Sequence, residues 1–260
     1  MWHMEIHRIR HRPLFWFLVL ADVALGLLPV LQMWPHGLTA DDYIFYPRSV
    51  YVSWMYFGAD NIYQIYTTIF PLLASLAYSD AYAEDFNTGL IKGILTKVEK
   101  KKYLLTRFFV NFAIGGCVAT LPLFINFLGQ MAAYPLIDNN YYFGMVLVTK
   151  NSFWPDLFYH HAMLYVVVRL ILLFLFGGML ASLSLALSTV VKNRYIVLVF
   201  PFLVTMALDV LVLNVNGAYS ITNIFFWNQA ANLGLPLYLV IGILGSFAWF
   251  YGMGEKNETI

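Results

Sequence analysis

Six long apolar runs constrain this chain more than any other feature of its sequence. They are Leu14–Trp34, Ile62–Tyr82, Leu104–Leu128, Leu170–Val190, Tyr195–Val215 and Pro236–Met253. A helix needs about 20 mostly apolar residues to cross a bilayer, and each run has close to that length. In lipid, backbone polar groups must bond one another, which a helix achieves within a single segment. The runs therefore predict an all-α, polytopic membrane protein with six transmembrane helices in one domain, residues 1–260.

The composition agrees with this prediction. The chain is 61% hydrophobic and 11% charged, whereas soluble domains have about 25% charged residues. Disordered chains are poor in apolar residues, so the low charge does not indicate disorder. The single cysteine, Cys117, lies inside the third run. It excludes an intrachain disulfide, and we expect it to be a small buried side chain.

The distribution of basic residues predicts the orientation. With the N-terminus inside, twelve of the fifteen Lys and Arg residues fall on the inner side and three, Arg48, Lys150 and Arg169, on the outer side. Cytoplasmic flanks of spans carry an excess of Lys and Arg. Both termini are therefore expected in the cytoplasm. The first run is too long for a cleaved signal peptide, and no small-residue cleavage site follows it.

The N-terminal segment, residues 1–13, alternates Trp, Met and Ile with His and Arg. In a helix these residues would separate into an apolar and a basic face. That arrangement suits a short amphipathic helix lying in the inner headgroup layer. Ordinary flanking charges on the inner side explain the same residues equally well, so both interpretations stay open.

The region 151–190 is expected to form one long helix. Ser152 is a suitable cap, Pro155 fits the first turn, and Asp156 is favourable near a helix N-terminus. Its first part would stand at or above the outer surface, with the crossing proper after Arg169.

The loop between the second and third runs has the most informative pattern. From Ser79 to Phe109 it reads SDAYAEDFNTGLIKGILTKVEKKKYLLTRFF. Acidic residues come first, followed by the turn signal Asn87-Thr88-Gly89, apolar residues at helical spacing and a basic cluster, Lys97–Lys102. This order indicates a short amphipathic element parallel to the membrane, whose apolar residues could enter a groove on another protein. A solvated loop rich in positive charge is the other interpretation.

The same loop resembles that of type-2 ATP-binding-cassette (ABC) exporter permeases. In that family a Glu after the second span is followed five residues later by a Gly, then by a short apolar stretch and a basic start to the third span. The matching residues here are Glu84, Gly89, Leu90, Ile94, Leu95, Lys101, Tyr103, Leu104 and Leu105. The family often has Gly before Thr where this chain has Thr88-Gly89, and Pro where it has Val98-Glu99. Six spans, inner termini and a length near 250 residues also match.

The resemblance implies the permease subunit of an exporter, with Glu84–Leu95 as a coupling helix received by a separate ATPase. The implied coupling residues are Glu84, Asp85, Gly89, Leu90, Ile91, Ile94 and Leu95. Two ATPase subunits, which hold ATP and Mg, and a second permease copy or a related permease would complete the complex. The chain looks most similar to compact bacterial permeases of antimicrobial-peptide (lantibiotic or bacteriocin) immunity. The implied location is a bacterial cell membrane, and the implied substrate is an amphipathic peptide, lipid-like or drug-like molecule.

Two acidic residues lie inside the predicted spans. Asp22 is eight residues into the first span, and Asp209 is six residues from the outer end of the fifth. An acid at a helix centre costs about 2.5–3.5 kcal/mol on insertion scales, so each needs a reason. Either residue could face a translocation path or make a structural hydrogen bond. Arg169 is a conceivable partner for Asp209.

Known catalytic motifs are missing from the sequence. It contains no G-x-x-x-x-G-K-[ST], no H-E-x-x-H and no G-x-S-x-G. An intramembrane enzyme using Asp22 and Asp209 would need the two residues to be adjacent. We therefore expect a transporter subunit without a cofactor or metal of its own, without a nucleic-acid partner, and with ATP hydrolysed on another chain. The alternative is a membrane receptor or sensor that binds a ligand with its outer loops and transports nothing.

Overall fold

The computed structural model describes residues 1–34, 49–56, 58–139, 148–225 and 231–256. The regular structure in these ranges is helical, which confirms the all-α class. The α-helices are α1 (Trp2–Arg10), α2 (Pro13–Gln32), α3 (Val50–Ser53), α4 (Asp60–Leu76), α5 (Ala81–Asn87), α6 (Leu90–Leu95), α7 (Lys100–Ala133), α8 (Pro155–His160), α9 (Ala162–Leu187), α10 (Arg194–Val215) and α11 (Gly234–Lys256). Two short 3-10 helices, Gly217–Tyr219 and Ile221–Phe225, follow α10.

Five helices in the described ranges are long and apolar enough to cross a membrane, namely α2, α7, α9, α10 and α11. Helix α4 follows the second apolar run but has only 17 residues, which is about 26 Å at 1.5 Å per residue. The hydrocarbon core of a bilayer is about 30 Å thick. The chain thus has the architecture of an α-helical membrane protein, with α4 shorter than its five long neighbours.

The contacts between helix ends define two ends of the bundle. At one end the Lys100 ammonium at the start of α7 donates to the Glu255 carbonyl of α11 at 3.0 Å. We call this the basic end, and it also holds α1, α5 and α6. At the opposite end the Val50 N–H of α3 donates to the Pro135 carbonyl after α7 at 3.2 Å.

Helix α7 lies at the centre of the bundle because its small residues let neighbouring helices approach closely. A Cβ added at Gly115 would lie 2.3 Å from the Ala181 Cβ and 2.7 Å from the Ala74 carbonyl oxygen. At the same level Ser79 and Asn111 both donate to the Ala181 carbonyl, at 3.1 and 2.9 Å. Lipid tails are as apolar as Leu, so close packing and hydrogen bonds hold such helices together.

A segment at the opposite end folds back into the bundle. We call residues 49–59, of which residue 57 lies outside the described ranges, the inserted segment. Its Met55 and Tyr56 have φ of 57° and 62°, and each such non-glycine residue costs about 1–3 kcal/mol. Trp54 is fully buried, and the Tyr56 ring packs edge-on against that of Tyr66 at 5.2 Å between centroids. The surrounding structure holds this strained backbone in place.

The observed helices differ from the predicted runs at their ends. Helix α4 stops at Leu76 rather than Tyr82, because the chain turns before α5 begins. Helix α7 is longer at both ends than the predicted run Leu104–Leu128, and its first three residues are lysines, which an apolar run does not include. An apolar run shows which residues can lie in lipid. The end of a helix depends instead on the local groups that bond to its terminal residues, so the two boundaries differ by a few residues.

Two expectations about the second half of α7 and the region after it are wrong. Cys117 is exposed on α7, not buried. The helix expected over 151–190 is broken at His161, where φ is −141° and ψ is 61°. Pro155 does occupy the first turn of α8. Ser152 does not cap that helix, because its hydroxyl accepts instead from the Thr149 N–H at 3.0 Å.

Candidate functional site

The loop that resembles a coupling helix forms two short helices, α5 and α6, which we call the α5–α6 element. They are separated by Thr88 and Gly89, and Gly89 has φ of 72°, a left-handed conformation that favours glycine. The break falls at the turn signal Asn87-Thr88-Gly89 of the sequence, so the stretch Glu84–Leu95, which the resemblance implies to be a coupling helix, consists of the end of one short helix and the whole of another. The Asn87 amide at the end of α5 donates to the Lys192 carbonyl at 2.9 Å, which fixes this corner against the link between α9 and α10.

A buried ion pair anchors the first half of the element. Asp85 pairs with Arg107 of α7, and both side chains are fully buried. The Asp85 carboxylate also accepts from Arg8 of α1 at 2.5 Å and from the Tyr103 hydroxyl at 2.8 Å. All these contacts lie within the chain. In this arrangement Asp85, which was predicted as a coupling residue, is fully buried and holds α5 in the bundle.

Arg107 also pairs with a second buried acid. Its guanidinium donates to Glu5 of α1 at 2.6 Å and to the Tyr78 hydroxyl at 2.7 Å. The Tyr78 hydroxyl in turn donates to Glu5, which is fully buried. An uncompensated buried charge costs several kcal/mol, so the two acids allow the guanidinium to stay charged.

A more exposed layer of charge surrounds this buried centre. Arg12, before α2, donates to Asp80 at 2.6 Å and pairs with Glu84. Arg194, at the start of α10, donates to Asp80 at 2.5 and 2.8 Å and lies 3.6 Å from a Glu84 oxygen. Glu84 is 26% exposed by its side chain. These two acids therefore link the start of α2 to the start of α10.

We call the eight charged residues of both layers the basic-end network. Its members are Glu5, Arg8, Arg12, Asp80, Glu84, Asp85, Arg107 and Arg194. Four acids and four arginines make it formally neutral. Charge-assisted, multidentate bonds of this kind are strong and geometrically specific. The network fixes α5 to α1, α7 and α10 at once, so a displacement of α5 must be transmitted to those helices or must break an ion pair.

The second half of the element projects an exposed tip. Leu90 is 51% exposed and Phe86 is 37% exposed, with Asn87, Thr88 and Gly89 exposed between them. Ile91, by contrast, is 4% exposed and belongs to an apolar cluster. The other members of that cluster are Tyr82, Tyr103, Leu104, Phe108, Leu185, Ala186 and Phe250, with Ile94 and Leu95 packed against it.

The predicted coupling residues thus divide into three groups. Gly89 and Leu90 are accessible, Asp85 and Ile91 are buried, and the remaining three are half-buried, namely Glu84, Ile94 and Leu95. The accessible surface suited to a partner is the tip, residues 86–90. The buried residues attach that tip to the bundle.

Lys192 connects the tip to the link between α9 and α10. Its ammonium lies 4.2 Å from the ring centroid of Phe86 and 4.9 Å from that of Tyr82. It also donates to the carbonyls of Ser188 and Thr189 at 2.9 and 2.8 Å. Burial lowers the pKa of Lys192 to about 8, because removal from water disfavours the charged form.

The two acids predicted inside the spans do not bond to each other. Asp22 is fully buried, and neither carboxylate oxygen has a hydrogen-bond partner among the described residues. Asp209 accepts from the Ser220 hydroxyl and, at 3.3 Å, from the Thr222 hydroxyl. Its conceivable partner Arg169 donates instead to the Ile224 carbonyl at 2.8 Å. A structural hydrogen bond is therefore observed for Asp209 and not for Asp22.

Sequence reasoning missed Glu5 and Arg107, the two residues at the centre of the network. Arg107 was counted only as a flanking positive charge, although it lies four positions inside the apolar run Leu104–Leu128. Glu5 is the sole acid in a basic segment, and it shares one helix face with Ile9 by the i, i+4 rule. An arginine inside a span and an isolated acid on a second helix were the signals of a buried pair.

Comparison of the chain with protein-family models finds no match, and comparisons with curated proteins and with solved structures find none either. Within the described ranges no three His, Cys, Asp or Glu side chains are grouped so as to hold a metal ion. The class that the fold defines is that of α-helical membrane proteins, and function has to be argued from the basic end itself.

Proposed function

We propose that this chain is the permease subunit of an ABC exporter, and that a separate ATPase docks on the tip of the α5–α6 element. The observation that supports this most is the division of the element into an exposed tip and a buried, ion-paired anchor. A tip that only interacts with solvent has no need of an anchor that reaches three other helices. A tip that receives force from a partner does need one.

The proposed topology has six crossings with both ends in the cytoplasm of a bacterial cell. Helix α4 supplies the sixth crossing. The turn before α5 and the first residues of α5 span the part of the bilayer that this short helix does not cover. The twelve basic residues assigned to the inner side then lie at the basic end or in the residues that flank it. Helix α1 lies at the inner surface with Trp2 and Ile6, which are 52% and 46% exposed, directed to the headgroup layer.

The proposed cycle uses the tip as the point where ATP hydrolysis on the partner acts. Nucleotide binding can favour one conformation only by contacts that differ between the two states. Such contacts on Leu90 and Phe86 would displace α5, and the basic-end network would carry the displacement to α1, α7 and α10. A second permease copy, or a related permease, would form the other half of the path.

The proposed substrate is an amphipathic peptide, a lipid-like or a drug-like molecule. The long helices carry few charges inside the bundle, which suits such a substrate better than a small ion. Asp22 and Asp209 remain the candidate polar residues of the path. Because Asp22 is fully buried here, contact with a substrate would require the helices around it to separate.

Two substitutions in the same loop test the docking surface. Leu90→Asp places a charge on the exposed tip and should abolish copurification of an ATPase from native membranes while leaving membrane insertion intact. Lys97→Asp, at an exposed position of the same loop beyond α6, is the matched control and should retain the ATPase. Full retention of the ATPase by the Leu90 variant, with its activity still responsive to substrate, would show that the tip is not the coupling surface.

A labelling experiment tests the topology. In a Cys117→Ala background, single cysteines at Lys97 and Lys150, both exposed, should differ in intact cells. A membrane-impermeant maleimide should modify the Lys150→Cys protein and should reach the Lys97→Cys protein only after lysis. Modification of Lys97→Cys in intact cells would reverse the orientation.

Reconstitution tests transport itself. In vesicles that contain the permease and its ATPase, candidate amphipathic peptides or lipids should stimulate ATP hydrolysis. If no ATPase associates with the chain, and ligand-dependent signalling persists in cells that lack any such partner, a membrane receptor or sensor becomes the better description.

A further inference from the structure

Helix α1 has two faces that differ in how their charges are compensated. On the inner face Arg8 bonds to Asp85, and Glu5 bonds to Arg107. Arg10 is exposed and has no ion pair among the described residues. Two residues turn a helix by about 200°, so Arg8 and Arg10 point in nearly opposite directions. The basic-end network therefore compensates Arg8 and leaves Arg10 on an outer face without an acid.

Three histidines share this outer face with Arg10. His3, His7 and His11 recur at every fourth position, and all three are exposed. Together with Arg10 they fall within about 100° of the helix circumference. The rings of His7 and His11 lie 4.2 Å apart between centroids, and the His11 Nδ1 lies 2.8 Å from the His7 carbonyl oxygen. When that nitrogen donates to the carbonyl, the Nε2 atom of His11 is left for an external group.

Within the described ranges no acid of a neighbouring element is paired with this face. The acids that bond to the N-terminal segment from outside it are Asp80, Glu84 and Asp85, and each is paired with arginines of the network, namely Arg8, Arg12, Arg107 and Arg194. Glu5 and Asp22, the acids of residues 1–34, are fully buried. The outer face therefore carries the charge of Arg10 and of any protonated histidine without a compensating acid.

This charge favours an anion over a metal ion as the ligand of the outer face. Histidines can bind metals, but no three metal-binding side chains are grouped for that purpose in the described part of the chain. Arg10 would also repel a divalent cation. Guanidinium and imidazolium groups instead donate charge-assisted bonds to phosphate oxygens. Because histidine changes its charge between about pH 5 and pH 8, such a face attracts anions more strongly as the pH falls.

Helix α2 places the outer face of α1 next to lipid. Arg10 comes three residues before Pro13, where α2 begins, and α2 is long and apolar enough to cross a membrane. Trp16 and Phe17 are 52% and 67% exposed, so they lie on the side of α2 that is directed away from the bundle. The Trp16 indole donates to the Arg10 carbonyl at 2.9 Å. Since Trp is favoured at the level of lipid headgroups, the C-terminal end of α1 lies among lipid phosphates.

The end of α1 is also prepared for an anion by its hydrogen bonds. The last carbonyl groups of a helix carry partial negative charge and ordinarily repel anions. In α1 the carbonyl groups of residues 7–10 all accept hydrogen bonds. Their donors are the His11 ring, the N–H groups of residues 11 and 12, and the Trp16 indole. These donors reduce the repulsion that a phosphate would otherwise meet at this helix end.

We infer that the outer face of α1, formed by His3, His7, Arg10 and His11, binds the phosphate of anionic phospholipid headgroups, and that protonation of the histidines strengthens the binding. A lipid held there neutralises the outer face of α1, as the network neutralises the inner face. The inference extends the proposed position of α1 at the membrane surface. It does not depend on an ATPase, so failure of the docking proposal would leave it standing.

Photo-crosslinking of the full chain in phosphatidylcholine vesicles tests the site. The vesicles contain a trace of phosphatidylglycerol or of phosphatidylcholine with a photoreactive headgroup, and mass spectrometry identifies the labelled peptides. At about pH 6 residues 1–16 should carry more label from phosphatidylglycerol than from phosphatidylcholine, and this excess should shrink at about pH 8. Arg10→Gln should lower the excess about fivefold, which is the effect of one basic residue at an anionic surface.

A second basic residue of the same end provides the matched control. Lys97 is exposed and has no ion pair among the described residues, so Lys97→Gln should retain the excess. Replacement of the three histidines by Gln should remove its dependence on pH. The inference is overturned if the unmodified protein shows no excess on residues 1–16, or shows one that does not change with pH. It is also overturned if Arg10→Gln retains the excess, or if Lys97→Gln lowers it as much. The labelling of the unmodified protein decides the question even if a variant does not fold.

Discussion

Helices α5 and α6 are neighbours in sequence, yet they are held by different forces. Helix α5 is attached by charge, through Asp85 to the fully buried Arg107. Helix α6 is attached by apolar packing, through Ile91, and leaves Leu90 in solvent. The difference shows that the α5–α6 element combines two properties that one surface cannot provide. Its charged residues attach it to the bundle, and its tip exposes apolar surface. The proposed coupling role would need both.

The largest expected effect comes from removing the cation of the anchor. Arg107→Leu leaves Glu5 and Asp85 as buried acids without their shared partner, so the free energy of unfolding should fall by about 3–5 kcal/mol. The measurement is thermal or denaturant unfolding in detergent. Lys101→Leu is the control, because Lys101 is exposed and its nearest acid, Glu255, lies at 3.8 Å. A pair of that kind contributes about 0–1 kcal/mol. Equal losses in the two variants would mean that the buried pair does not anchor α5.

The next prediction compares the loss of stability caused by substitutions at two adjacent residues of α6. Ile91→Ala removes a side chain that is 4% exposed and should cost about 2–5 kcal/mol. Leu90→Ala removes one that is half exposed and should change stability by about 0.5 kcal/mol or less. Both variants are compared by the same unfolding assay. A larger loss for Leu90 than for Ile91 would reverse the assignment of the attached and the free side of α6.

A smaller effect concerns the corner between the two helices. Gly89→Ala forces a residue with a Cβ to adopt φ of 72°, which costs about 1–2 kcal/mol. Nothing lies within 4 Å of the added Cβ, so the loss reflects conformation alone. Gly93→Ala, also with nothing within 4 Å but inside α6, should stabilise the protein by up to about 1 kcal/mol. Destabilisation by both substitutions would indicate that the tip has contacts other than those described.

The smallest expected effect is a dependence on pH at Lys192. Its pKa is lowered to about 8 in the folded protein, against about 10.4 for an unperturbed lysine. Between these values the unfolded chain binds more protons, so stability should rise as the pH increases from about 8 to about 10. Lys192→Met should remove this rise when melting temperatures of the two proteins are compared across that window. A parallel course of both curves would show that Lys192 is not desolvated against α5.

The sequence predicted the bounds of the long helices well where contact with lipid determines which residues are apolar. The apolar runs of α2, α10 and α11 lie within three residues of the observed helices, because composition reports which residues lipid accepts. It failed where other parts of the chain set the ends. The helix predicted over 151–190 is interrupted, and α9 begins only at Ala162, because the backbone leaves the helical conformation at His161.

For the site, the sequence predicted the α5–α6 element and its apolar residues. It did not predict which of those residues are buried against the bundle and which are exposed. Asp85 and Leu90 are equally plausible contact residues when only spacing is known. Burial separates them, and burial depends on Arg107 and Glu5, which lie 22 and 80 positions away from Asp85. Pairing over such distances leaves no periodic pattern in one sequence.

The order of the network along the chain has a consequence for biosynthesis. A ribosome makes Glu5 and Asp85 before Arg107, so both acids have already been synthesised when the arginine emerges inside an apolar helix. A nascent chain ending after α7 would contain the whole buried centre, and only the contacts of Arg194 would still be missing. The most costly cation of the protein thus never has to enter the membrane ahead of its counter-ions. Arg194 is synthesised last of the network residues. When it pairs with Asp80, it attaches α10 to helices whose buried charges, Glu5, Asp85 and Arg107, are already paired.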